Sequence, residues 1–183
     1  MVAKTAHRAV VAVFAFLLPT TYLWMLPELG RRKFAARDHD CYVSQYIDNA
    51  QATGALWASL IPYVLLVSSI VHRMGSTVTS VAYALQLASW CVFTIATVSY
   101  IRWLHGLSVL LWVALALVSL LLTAKWTRDR TGAVPRLFVA HTVAFGLSST
   151  LLCKKWCHQS IVATVYLAAV PLWYVRYGGL LPP

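Results

Sequence analysis

TVTSVAYALQLASWCVFTIATVSYIRWLHGLSVLLWVALALVSLLLTA, residues Thr77 to Ala124, is the stretch whose reading decides the fold. From Thr77 to Ile101 the only ionisable side chains are Tyr83, Cys91 and Tyr100, and from Leu107 to Ala124 there are none. A helix needs about 20 apolar residues to cross about 30 Å of hydrocarbon, and both arms are near or above that length. The break between them, Arg102-Trp103-Leu104-His105-Gly106, carries a cation, an indole and an imidazole. Those groups belong at headgroup level, so the stretch reads as a membrane hairpin. The chain is expected to be an integral membrane protein.

Composition agrees. The 183 residues are 60% hydrophobic and 11% charged, against about 25% charged in a typical soluble domain; mean hydropathy is +0.71. Most of the surface must therefore face lipid or protein. No Gly/Ser-rich, Pro-rich or charged linker divides residues 1–183, and no internal repeat is visible, so a single transmembrane domain is expected.

Working outward from the hairpin, residues 9–26 form a first span with a kink near Pro19. Lys4, His7 and Arg8 precede it as in a signal peptide, but Tyr22-Leu23-Trp24-Met25 follows where a small-x-small cleavage site would stand. Residues 27–54 are the one long polar loop. A second span, 55–71, contains Pro62 and closes with His72-Arg73, and Met74-Gly75-Ser76 turns the chain into the hairpin spans 77–101 and 107–124. The basic loop Lys125 to Arg136 follows, with Pro135 placed to open the next helix. Spans 137–152 and 161–175 complete the bundle, and Gly178-Gly179 stops the last helix. Both of these are shorter than about 20 residues and depend on snorkelling Lys and Arg. The fold class expected is all-α, a polytopic bundle of about six spans with both termini on one side. The distribution of basic residues is too even to orient it firmly, although the dense loop 125–136 leans the termini towards cytosol or matrix.

The formal net charge is +10, and four of the five acids, Glu28, Asp38, Asp40 and Asp48, lie in the first loop. The cations flank apolar spans, which points to anionic headgroups, cardiolipin among them, and away from nucleic acid. The headgroup contacts expected are Arg73, Lys125, Arg128, Arg130, Arg136 and Arg176, with Trp103 and Trp126 in the aromatic belt alongside Trp24, Trp57, Trp156 and Trp173.

Chemistry is sparse. No nucleophile elbow, His-Glu-x-x-His or Gly-rich phosphate loop occurs, so no catalytic residues are assigned. No Asp, Glu, Lys or Arg stands at mid-depth in any span, which argues against a coupled transporter or proton pump. The leading intramembrane polar group is His141, with Gln86 and Thr94 on the third span; together they are the candidates for a cavity. The simpler reading is that such hydroxylic and small residues, including Ala114, Ala116, Gly146 and Ser148, serve helix packing. Cys41, Cys91, Cys153 and Cys157 are expected as free thiols, with Cys41–Cys157 or Cys41–Cys153 the disulfides that topology allows. No metal or cofactor is expected.

These features favour a non-catalytic accessory or scaffolding subunit of a larger membrane complex, making contacts with partner subunits and lipid. The preferred setting is an energy-converting organelle membrane such as the mitochondrial inner membrane, with an endomembrane as the alternative. The second reading is a lipid- or sterol-binding protein or passive channel with its cavity near His141. The most distant is a redox protein holding haem on paired histidines.

Overall fold

The computed structural model describes residues 2–33, 43–47, 50–96, 101–153 and 156–182. Their regular structure is helical throughout: α1 (Val2–Lys33), α2 (Val43–Tyr46), α3 (Ala50–Met74), α4 (Thr77–Ile95), α5 (Arg102–Thr131), α6 (Arg136–Ser148) and α7 (Trp156–Tyr177). Short 3-10 turns, Ser149–Cys153 and Gly178–Leu180, extend α6 and α7. Among the described residues, five segments are long and apolar enough to cross a bilayer, in α1, α3, α4, α5 and α7; the sixth, Arg136–Leu152, is apolar but shorter. The protein is a multi-pass membrane helical bundle.

Both chain ends lie at one end of that bundle. A Cβ on Gly179 would stand 2.8 Å from Nη1 of Arg8, while Trp24 Nε1 donates to Thr164 Oγ1 at 2.9 Å. Helices α1 and α7 are therefore antiparallel neighbours. Arg73, at the end of α3, donates its Nε–H to the Pro182 carbonyl at 2.7 Å, which fixes the C-terminal tail at that same end.

Several boundaries differ from the sequence reading, each for a local reason. Helix α1 continues through Pro19 and Pro27 to Lys33, and α3 begins at Ala50, so the polar loop is shorter than 27–54. A proline removes one helical hydrogen bond, yet its φ stays in the helical range. Helix α4 stops at Ile95 rather than 101. There the Thr94 hydroxyl donates to the Trp90 and Cys91 carbonyls, both at 3.0 Å, close to the end of the ladder. Helix α5 does not stop at Ala124 but absorbs most of the basic loop and ends at Thr131. Gly132 stops it: at φ +69 it takes the left-handed cap, its N–H reaching the Arg128 carbonyl. At the far end of α6, Ser148, Ser149 and Thr150 each donate to the carbonyl three residues back, and the helix tightens into a 3-10 turn there.

The terminal end of the bundle is tied by indoles. Trp126 Nε1 donates to the Met74 carbonyl at 3.1 Å, and Trp173 Nε1 to Thr127 Oγ1 at 2.8 Å. The two rings meet edge-to-face at 6.0 Å, joining α3, α5 and α7. This corrects the aromatic-belt reading of Trp126 and Trp173, which are buried at 9% and 1% exposure. A buried indole still needs an acceptor, and neighbouring helices supply one. Trp103 is the belt-like residue, 71% exposed at the start of α5.

Candidate functional site

A groove of about 920 Å³ runs along one face of α5. Arg102, His105, Val109, Val113 and Leu117 form one row of its floor, and Gly106, Leu110 and Ala114 the next. These positions recur every three to four residues, so they make one continuous stripe of a helix surface. From Arg102 to Leu117 is fifteen residue steps, or about 22 Å at about 1.5 Å per residue. One leaflet's hydrocarbon is about 15 Å deep, half of the bilayer core.

The opposite walls come from α1 (Leu23), α2 (Val43, Ser44), α3 (Leu56), α4 (Trp90, Phe93) and α7 (Gln159, Tyr166). Leu110, 68% exposed, and Arg102, also exposed, lie on its rim, so the groove borders both lipid and the headgroup level. Its polar groups gather at the Arg102 end. His105 Nδ1 sits 2.9 Å from the Phe93 carbonyl and 3.1 Å from that of Ala96. Carbonyls only accept, so Nδ1 carries a hydrogen. Gln159 ties the same end together, accepting from the Val43 N–H at 2.8 Å and donating to the Leu152 carbonyl at 2.6 Å.

The groove exists because an aromatic wall keeps the helices apart. Trp112 meets Tyr166 at 5.1 Å, Trp90 at 5.7 Å and both Phe93 and Phe145 at 5.9 Å between ring centroids. Large rigid rings at a helix crossing cannot close on one another as Leu side chains can, and the space beside them stays open. The opposite is seen at α5–α6. A Cβ on Gly146 would lie 3.4 Å from Leu117, a close approach of the kind the sequence pattern suggested.

A second cavity of about 340 Å³ lies on the other side of this wall, between α3 and α4. It shares Trp90 and Tyr166 with the groove and runs to His72 near the terminal end.

Of the three polar residues singled out in the sequence, only Gln86 lines either void, the smaller one. His141 lines neither of these two voids: its Nε2 is 2.6 Å from the Val165 carbonyl and bridges α6 to α7. Thr94 likewise packs helices, accepting from Trp57 Nε1 at 3.2 Å. In the sequence His105 reads as an ordinary interfacial residue; only the packing of α4 on α5 shows what its ring faces.

The expected headgroup contacts Lys125, Arg128, Arg130 and Arg136 are exposed on the last turns of α5 and the first of α6, and Arg176 is exposed at the end of α7. Arg130 stacks over Trp126 at 4.5 Å. Arg73 is half-buried, with its Nε–H on the Pro182 carbonyl. Cys157 is a free thiol, 3.3 Å from Nδ1 of His158, and Cys91 is also free. Cys41 lies outside the described residues, so its proposed pairing does too.

No family model, curated protein or solved structure matches this chain.

Proposed function

We propose that the protein binds an amphipathic lipid with an acidic headgroup, its acyl chain lying along the α5 groove. One observation carries this: a largely apolar channel of about 920 Å³ with Arg102 and His105 together at its headgroup end. That distribution matches a molecule with one polar end and a long apolar body. The groove volume falls in the range of ligand sites, roughly 300–1,000 Å³. Arg102 supplies a fixed positive charge with planar donors suited to phosphate or carboxylate oxygens. His105 Nε2 accepts from a protonated or hydroxylated headgroup. In this reading the lipid is held at His105 and Arg102, not at His141.

The test is native mass spectrometry of protein extracted in mild detergent, stripped, then offered equimolar phosphatidic acid and phosphatidylcholine with the same acyl chains. Retention of one phosphatidic acid in clear preference supports the proposal. Equal retention of both, or of neither, overturns it.

The second reading, a subunit of a larger assembly, is favoured by α6. With its 3-10 extension it forms the apolar segment Arg136–Leu152, shorter than the other five, and such mismatch is relieved by snorkelling or by oligomerising. Its outward side chains, Leu137, Val143 and Leu147, are exposed and apolar. In that reading the setting is an energy-converting organelle membrane, where the +10 charge suits cardiolipin at the interfaces. Migration of the native complex well above the mass of the monomer on a mild-detergent gel would support it.

A further inference from the structure

The α5 groove is open at its headgroup end, where Arg102 is exposed, and closed at the other. Inward of His105 the α5 residues along its floor, from Val109 to Leu117, are all aliphatic or aromatic. The floor stops where α6 meets α5: a Cβ on Gly146 would stand 3.4 Å from the Leu117 side chain. Ser149 and Leu152, which line the groove from the end of α6, both lie on the headgroup side of that contact. The facing wall of α7 reaches no deeper than Leu167. Among the described residues, no part of α5 beyond Leu117 lines the groove, and Leu120, one turn on, is fully buried. The apolar run therefore has a fixed length, which a fluid bilayer never imposes on a chain.

We propose, resting on the lipid reading of this groove, that it measures acyl chain length and selects one chain of about sixteen to eighteen carbons. Arg102 holds the headgroup, so the count starts from a fixed charge. An extended chain of tetrahedral carbons, with bonds of about 1.52 Å at angles of about 111°, advances about 1.25 Å per bond. The floor from Arg102 to Leu117 is about 22 Å long, so about 17 bonds fit along it. A shorter chain leaves the space beside Leu117 without contacts. A longer one must fold back or force α5 from α6 at Gly146, and over-filling a packed site costs about fivefold in affinity or more.

The test is native mass spectrometry of the full chain in mild detergent, offered equimolar lysophosphatidic acids with saturated chains of twelve to twenty carbons. Lysophosphatidylcholines of the same chains are the headgroup control. Wild type should retain the sixteen- and eighteen-carbon species about fivefold over the twelve- and twenty-carbon ones. Val113→Phe sets a ring across the floor eleven residue steps from Arg102, about 16 Å in, and should move the optimum to about twelve to fourteen carbons. Leu117→Ala removes the stop against α6 and should move the optimum the other way, to twenty. Partition into detergent is common to the three proteins, so their profiles are compared with one another, and retention of a preferred species shows each variant to be folded. If Val113→Phe holds no lipid, the Leu117→Ala shift decides. A flat length profile in wild type, or the same optimum in every protein that binds, overturns the ruler and leaves the acidic-lipid reading standing. Equal retention of both headgroups at every length removes that reading, and the ruler with it.

Discussion

Gly106→Phe should abolish lipid binding while leaving the bundle as stable as before. Gly106 stands near the start of α5, on the floor of the groove, and a Cβ placed there meets nothing within 4 Å. Replacing a helical glycine recovers backbone entropy; Ala gains about 1 kcal/mol over Gly and Phe roughly half of that. The lipid-free variant is therefore expected to melt at the wild-type temperature or slightly above. In the wild type, lipid at about one hundred times its dissociation constant adds about 2.7 kcal/mol to stability. For a chain of this size each kcal/mol moves the melting temperature by roughly 2–4 °C, so the shift is about 5–10 °C. In Gly106→Phe the ring occupies the entrance between Arg102 and Leu110, and the shift should vanish. Gly106→Ala is the control, with the helix gain and the lipid shift both retained. The assay is thermal unfolding in detergent with and without phosphatidic acid. A full lipid shift in Gly106→Phe would refute the assignment of the groove as the site.

Other substitutions should separate structural roles from binding. His141→Phe removes the hydrogen bond to the Val165 carbonyl and is expected to cost about 1–2 kcal/mol in chemical unfolding, with lipid retention unchanged. Trp126→Phe deletes the N–H to Met74 and part of the stack on Trp173, for a loss of about 1–3 kcal/mol. Two glycines should behave oppositely in the same melting assay. Gly54→Ala, in the interior of α3 with open space at its Cβ, should stabilise by up to about 1 kcal/mol, whereas Gly132→Ala, forced to φ +69, should destabilise by about 1 kcal/mol. Arg73→Gln frees the Pro182 carbonyl, and hydrogen exchange at residues 178–181 should quicken without effect on lipid.

The spans were legible because each is an uninterrupted apolar run, and hydropathy reports directly on what a bilayer accepts. Their ends were less so. Nothing in Lys125-Trp126-Thr127-Arg128 forbids a helix, so a basic stretch that looked like a loop continues α5 until Gly132 provides the left-handed turn. The aromatic belt misled at Trp126 and Trp173 because span ends are also where neighbouring helices meet, and an indole there can point inward to a carbonyl as readily as outward to lipid. The groove was not legible at all. Its floor stripe, His105 to Leu117, has the same apolar spacing as any packed helix face. Whether such a face is covered depends on the bulk of Trp90, Trp112 and Tyr166 on neighbouring helices, a tertiary property no single segment carries. Gln86 was visible as a polar residue in a span, but its unpaired oxygen follows only from where Tyr166 sits.

The most direct measurement is crosslinking by a phosphatidic acid carrying a diazirine in its acyl chain, mapped along α5. The inner row, Val109, Val113 and Leu117, lines the groove, while Leu111 and Val118 are exposed on the outer face of the same helix. Crosslinks concentrated on the inner row, and lost in Gly106→Phe, are the result expected of a lipid held inside the bundle. Crosslinks confined to the outer row, unchanged by that substitution, would contradict it and leave the chain with lipid only as solvent.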